Sequence, residues 1–295
     1  MTDAATIGQR LGLRKQGRTF HGACPCCGYK SGFTVEDQKG TTLVRCHAGG
    51  CPQADVIEAL RRQGLWAGER DADWTPPPRR PATDDKAKAE AMTQAARAIW
   101  RKTLPAEGTA AETYLRNRGI TLPVPATLRY HPACRHTGTG LLLPCMVGAV
   151  TVAPGRDVVA IHRTFLTTDG RTKAPVTDAK KSLGPLAGGA VRLAAAGPVL
   201  IVGEGIETTL SAMQATGLPG WAALSAGGIR NLILPPLPMA AEVIIAADHD
   251  ANGVGQDAAR AAAARWLAEG RRVRIALPPE PGQDWNDLLR TAAHA

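Results

Sequence analysis

Two apolar runs that each end in acid constrain this chain more than anything else in it. Val199-Leu-Ile-Val-Gly203 reads as a buried strand, with Glu204 at its C-terminal end and a helix opening near Ile206. Val243-Ile-Ile-Ala-Ala247 repeats the pattern and ends in Asp248-His-Asp250, followed by the turn Ala251-Asn-Gly253. Short continuous apolar runs bounded by turn residues suit strands covered on both faces, as in a parallel sheet. Further strands are expected at 221–225 and 272–277, with helices closing at Gly217 and Gly270. Strand–helix alternation with short connections implies a parallel sheet with right-handed crossovers. Ligand sites in open α/β sheets lie beyond the C-terminal strand ends. Glu204, Asp248 and Asp250 are therefore delivered to one edge. An acidic cluster there, in a chain of net charge +9, points to a divalent cation and phosphates.

A second constraint lies at the other end. Five of the seven cysteines fall within the first 51 residues. Cys24 and Cys27 have C-x2-C spacing, and Cys46 and Cys51 have C-x4-C spacing, both in the range of structural zinc sites. Between the pairs, Gly32–Glu36 and Thr41–Arg45 read as two strands joined by a turn at Asp37-Gln-Lys-Gly40. Knuckle, hairpin and second pair make the layout of a zinc ribbon. Four thiolates would close a tetrahedral site, while Cys26 and His47 stand as alternative ligands. Residues before the knuckle read as a short helix or arm, and Pro52–Gln63 as an amphipathic helix stopped by Gly64.

The rest divides by composition. Residues 68–85 contain Pro76-Pro-Pro-Arg-Arg-Pro81 and read as a semi-rigid linker. A helix follows from near Thr83 to Lys102, then another from Thr109 to Gly119, then extended segments at 141–152 and 158–166. Aromatics make up only 4% of the chain, so the core must rest on Val, Leu, Ile and Ala. Cys134 and Cys145 lack a C-x-x-C partner and read as ordinary thiols. The expected organisation is a ribbon over 1–67, a linker over 68–85, a mixed α+β part over 86–197 and a parallel-sheet domain over 198–295. No apolar run is long enough to span a membrane, and the polar N-terminus has no signal-peptide pattern, so a cytoplasmic location is expected. No G-x-x-x-x-G-K-[ST] loop is present.

Glu204 after one apolar strand and the Asp248-x-Asp250 pair after another resemble the Toprim domain of bacterial-type primases, topoisomerases and some nucleases. Ile161-His-Arg163-Thr-Phe-Leu, Lys181-Ser-Leu-Gly184-Pro, Gly188-Gly189-Ala-Val-Arg192-Leu and Asp284-Trp-Asn-Asp287-Leu-Leu resemble phage- and plasmid-type DNA primases. The cysteine layout resembles the zinc-binding domain of those primases, and together the likeness covers roughly 21–66 and 105–290. The resemblance implies an α/β fold: a Toprim-type parallel sheet with flanking helices, preceded by a mixed α+β subdomain and a small zinc ribbon. It implies a nucleotidyltransferase that makes short RNA primers on single-stranded DNA from ribonucleoside triphosphates, alongside a separate replicative helicase. By the same resemblance Glu204, Asp248 and Asp250 hold Mg²⁺ or Mn²⁺, with Glu204 also serving proton transfer. Asp284 and Asp287 compete for the remaining place. Arg163, Lys180, Lys181 and Arg192 would form a basic wall for nucleotide or template phosphates. Two other readings stay open: another Toprim nuclease or topoisomerase, and a non-catalytic zinc DNA-binding adaptor.

Overall fold

The computed structural model describes residues 3–29, 32–38, 40–47, 51–66, 82–249 and 253–292. They form two compact units, one within residues 1–80 and one built from 81–251 and 255–295. Most of the expected linker, and Asp250, lie outside the described residues. Among the described residues, no helix is long and apolar enough to cross a membrane.

The first unit opens with α1 (Ala4–Arg10), where the Asp3 side chain accepts from Thr6 N at 2.7 Å, an ordinary N-cap. Four antiparallel strands follow in spatial order: β1 (Arg14–Gln16), β2 (Thr19–Gly22), β3 (Phe33–Gln38) and β4 (Thr41–Cys46). Then comes α2 (Gln53–Arg62). The expected hairpin is β3–β4, and its alternation turns Phe33 and Val35 inward against Ile7, Val44, Val56 and Leu60. The short helix expected before the knuckle is α1, and a second hairpin, β1–β2, follows it. Gly17, at φ 62°, makes its turn, and the polar run Arg-Lys-Gln offers no apolar alternation to announce a strand.

The second unit begins with α3 (Ala82–Arg101), β5 (Leu104–Pro105) and α4 (Ala110–Asn117). Five strands come next: β6 (Leu128–Arg135), β7 (Leu142–Val152), β8 (Ala160–Phe165), β9 (Lys180–Leu183) and β10 (Gly189–Arg192). Strand–helix alternation then runs through β11 (Val199–Gly203), α5 (Ile206–Thr216), β12 (Gly220–Ala222), α6 (Ala226–Asn231), β13 (Glu242–Ala246), α7 (Val254–Ala268), β14 (Arg272–Ala276) and α8 (Trp285–Ala292). The four strands β14-β13-β11-β12 are mutually parallel, as the sequence implies. They do not form a separate sheet. Antiparallel β10 joins β12 to β7, so one ten-stranded sheet runs through the unit, with β8 and β9 branching from β7.

Both faces of the inner parallel strands are covered, which is why β11 and β12 are apolar throughout and β13 nearly so, whereas the edge strand β14 carries exposed Arg272 and Arg274. Leu200, Val202, Val243 and Ile245 pack under α7 through Ala259, Ala262 and Trp266. On the other face, Ile201 and Ala246 meet Ala212 of α5, and α5 packs on α4 through Ile206, Leu210, Tyr114 and Leu115. This packing holds α4, α5 and the strand ends in fixed relation.

Candidate active site

Glu204 and Asp248 leave neighbouring strands. The β11–β13 register ends with Gly203 opposite Ala246, so Glu204 follows at once and Asp248 one residue later. The Glu204 carbonyl is fixed by the Leu224 N–H at 2.8 Å, and the Gly203 carbonyl by the Ala223 N–H at 2.8 Å. Leu224 makes that bond at φ 71°, a conformation rarely adopted by a side-chain-bearing residue, so the surroundings must hold it there. The strand expected over 221–225 accordingly stops at Ala222 and turns under Glu204.

Asp284 arrives from the C-terminal segment. Trp285 Nε1 donates to Ala247 O at 3.2 Å, and Gly282 N donates to His249 O at 2.7 Å, tying this segment to the end of β13. Asp284 Oδ1 accepts from Asn286 N and Asp287 N, each at 2.8 Å, at the start of α8. Asp287 turns back to the Asp284 N–H at 3.3 Å. Both carboxylates serve the start of α8, and of the two it is Asp284 that lines the site's cavity.

Glu204, Asp248 and Asp284 line a cavity of about 200 Å³. Arg118, His162, Lys173 and Lys180 line the same cavity. Carboxylate oxygens are hard donors, so the acids fit Mg²⁺ or Mn²⁺ in kind. Among the described residues, the metal-sized cluster of ligand atoms is the cysteine set below. Glu207 also lines the cavity and is 5% exposed. Its Oε1 accepts from Tyr114 Oη at 2.6 Å and its Oε2 accepts from Lys180 Nζ at 2.9 Å. Burial pushes its pKa up, but Lys180, the Tyr114 bond and Lys173 outweigh that and hold Glu207 well below the usual carboxylate range. Burial, then Glu207, raise the Tyr114 phenol, which stays a donor. Burial, then Lys180, push His162 down to about 4, so its ring is neutral at pH 7. His162 Nδ1 lies 3.0 Å from Ser182 Oγ.

The β8–β9 hairpin sorts the basic residues named from sequence. Its register pairs Thr164 with Lys180 and Arg163 with Lys181, and alternation sends the two pairs to opposite faces. Lys180 reaches the cavity. Arg163 is buried on the far face, its guanidinium 5.7 Å from the Phe165 ring centre, and Lys181 lies 3.5 Å from Asp178. Arg192 stacks 4.7 Å over Trp221 and donates to Gly155 O, away from the cavity lining. His162 lies within the Ile161–Leu166 stretch named from sequence but was not singled out there, and Arg118, Lys173 and Tyr114 carry no motif that separates them from surface or core residues. Glu207, one helical turn beyond Glu204, reads from sequence as an acid at a helix N-terminus; the structure buries α5 from Ile206 through Met213, so that acid has little solvent to face.

In the first unit, one sulfur from each of Cys24, Cys27, Cys46 and Cys51 lies within 4.8 Å of the others. The Cys27–Cys46 separation is 3.8 Å. A tetrahedron with Zn–S bonds near 2.3 Å has edges of about 3.8 Å, so the sulfurs fit that ion. Hydrogen bonding to Cys46 and burial raise the Cys24 thiol, and burial with its sulfur neighbours raises Cys51. Such crowding is relieved when a cation takes the thiolates. The alternative ligands are placed elsewhere: Cys26 is exposed, and His47 Nε2 lies 3.1 Å from Thr34 Oγ1. The four-cysteine cluster is consistent with a zinc ribbon.

Family comparison agrees with the second unit's architecture. Residues 199–295 match the Toprim domain, and residues 90–193 match a domain of unknown function, DUF7146. The C-terminal part of the chain is a Toprim domain. Among solved structures, the chain is similar to the DnaG catalytic core at 18% identity, covering 69% of this chain and 75% of that one, with a TM-score of 0.47. It is similar to the zinc-binding and RNA polymerase domains of the Aquifex aeolicus primase at 16% identity, covering 99% and 80%, with a TM-score of 0.39. The primase fragment of the bacteriophage T7 primase-helicase protein gives 14% identity, 93% and 95% coverage, and a TM-score of 0.37. No curated protein matches the chain by sequence.

Proposed function

We propose that this chain is a DNA primase, joining ribonucleotides on single-stranded DNA by metal-dependent nucleotidyl transfer. The observation that carries the reading is the cavity that Glu204, Asp248 and Asp284 line together with Arg118, Lys173 and Lys180. The Toprim match over these acids and the four-cysteine cluster upstream support it.

In the reaction, a 3′-oxygen bonds to the α-phosphorus of a nucleoside triphosphate, and the bond from that phosphorus to the pyrophosphate oxygen breaks. Glu204, Asp248 and Asp284, together with Asp250 from outside the described residues, would hold Mg²⁺ or Mn²⁺, which when bound supplies Lewis acidity at the reacting phosphate oxygens. Glu204 would also take the 3′-hydroxyl proton. Lys180, Lys173 and Arg118 offer fixed positive charge to the triphosphate and to the departing pyrophosphate. Neutral His162, beside Ser182, is a polar contact for the same ligand. The zinc-loaded ribbon would engage the single-stranded template, and a separate helicase would open the duplex. The ribbon over 1–67 and the catalytic core over 86–295 act as template reader and polymerase on either side of the linker.

The topoisomerase alternative needs an accessible attacking tyrosine. Tyr114, beside the acids, is 1% exposed and donates to Glu207. The test is incubation of the protein with labelled ribonucleotides, single-stranded DNA and Mg²⁺. Short RNA products support the reading. Cleavage or relaxation of DNA without added nucleotides, and no RNA, would replace it with the nuclease or topoisomerase reading.

A further inference from the structure

Glu207 sits three residues after Glu204 and borders the same cavity, yet its oxygens are already engaged. Oε1 accepts from Tyr114 and Oε2 accepts from Lys180. With both oxygens committed, and at 5% exposure, it is poorly placed to hold a metal. The three partners come from separate elements: Tyr114 from α4, Lys180 from β9 and Glu207 from α5. The pair therefore bridges the two family-matched segments, fastening a cation of residues 90–193 to the first helix of the Toprim domain.

Lysine is a flexible side chain that loses much rotamer freedom when held in one place. The Lys180 side chain keeps 35% of its surface exposed and lines the cavity, while Glu207 beneath it is buried. An ammonium has three donors. Glu207 takes one, which fixes the direction in which the others point. Tyr114 in turn fixes Glu207, because a second strong donor leaves the carboxylate one orientation.

We propose that Glu207 is a positioning residue: clamped by Tyr114, it holds the Lys180 ammonium at the cavity wall as a preset cation for the phosphates of the substrate. The phosphate-bearing substrate is taken from the nucleotidyl-transfer reading above. Simple charge counting gives the opposite expectation, since deleting a carboxylate from an anion site should tighten anion binding. The two accounts therefore separate by sign.

The test is calorimetric titration of the full chain with inorganic tripolyphosphate in metal-free buffer. Glu207→Gln and Tyr114→Phe should each weaken binding about tenfold or more, the scale expected when a charged contact is misplaced. In a Lys180→Gln background, Glu207→Gln should add nothing further. Tighter or unchanged binding in Glu207→Gln, additive losses in the double variant, or no binding by the unaltered protein overturns the proposal. If Glu207→Gln does not fold, Tyr114→Phe is read by the same criteria. The Mg²⁺ concentration for half-maximal activity should stay unchanged in Tyr114→Phe; a rise means that Glu207 serves the metal instead. A chain that binds tripolyphosphate in this pattern but makes no RNA contradicts the primase reading and leaves the role of Glu207 standing.

Discussion

Glu204 and Glu207 lie on the same turn of chain, and the structure gives them different surroundings. Both line the cavity, but Glu207 is buried and held between Tyr114 and Lys180. Asp248→Asn should lower RNA synthesis by at least about 100-fold while leaving the thermal midpoint within a few degrees, measured by primer assay and calorimetry. His162 supplies a pH signature. Its folded pKa, about 4, lies below the ordinary value of 6.5. Its stabilising contribution is therefore complete above pH 6.5 and is lost as pH falls toward 4, on the order of 3 kcal/mol in all. Urea titrations should show His162→Gln flattening stability over that window; an unchanged slope would mean that the ring is not buried neutral. Strand-end acids were legible in the sequence because an apolar run fixes where its strand ends. Which of Lys180 and Lys181 reaches the site was not, because a one-residue change of hairpin register exchanges them.

At the scale of elements, the turn from the end of β12 into α6 acts as a lock on Glu204. Gly228 N–H donates to Ser225 Oγ at 2.9 Å, and a Cβ on Gly228 would collide with the Ala223 carbonyl oxygen. Ala223 and Leu224 are the residues whose N–H groups fix Gly203 and Glu204. Gly228→Ala should therefore cost about 1–3 kcal/mol and lower activity together with stability, read by denaturant unfolding and primer assay. The ribbon offers a separate test. Its core is thin, so chelation should remove one zinc per chain and unfold α1 to α2, seen as loss of far-UV signal and of protease resistance in the first unit. Its cysteine spacing and central hairpin were readable. The β1–β2 hairpin was not, because its residues are too polar to show a period.

Across the whole second unit, one sheet brings acids and Lys180 to the same cavity. Parallel strands deliver the acids, and the antiparallel extension carries Lys180. Strand–helix alternation revealed the parallel half from sequence. The join through β10 depends on pairing between residues far apart in the chain, which no local pattern records. The same holds for Arg118 and Lys173, whose place in the cavity follows from α4 packing on α5 and from the loop before β9. The central claim is that this cavity of acids and cations makes RNA on a DNA template. The most direct measurement is RNA synthesis on single-stranded DNA by the unaltered protein, by Glu204→Gln, by Arg118→Gln and by the exposed-surface control Arg260→Gln. We predict Mg²⁺- or Mn²⁺-dependent short RNA from the unaltered protein and the control, a loss of at least about 100-fold in Glu204→Gln, and about 10-fold or more in Arg118→Gln. Full synthesis by Glu204→Gln, or synthesis that needs no divalent ion, would contradict the account.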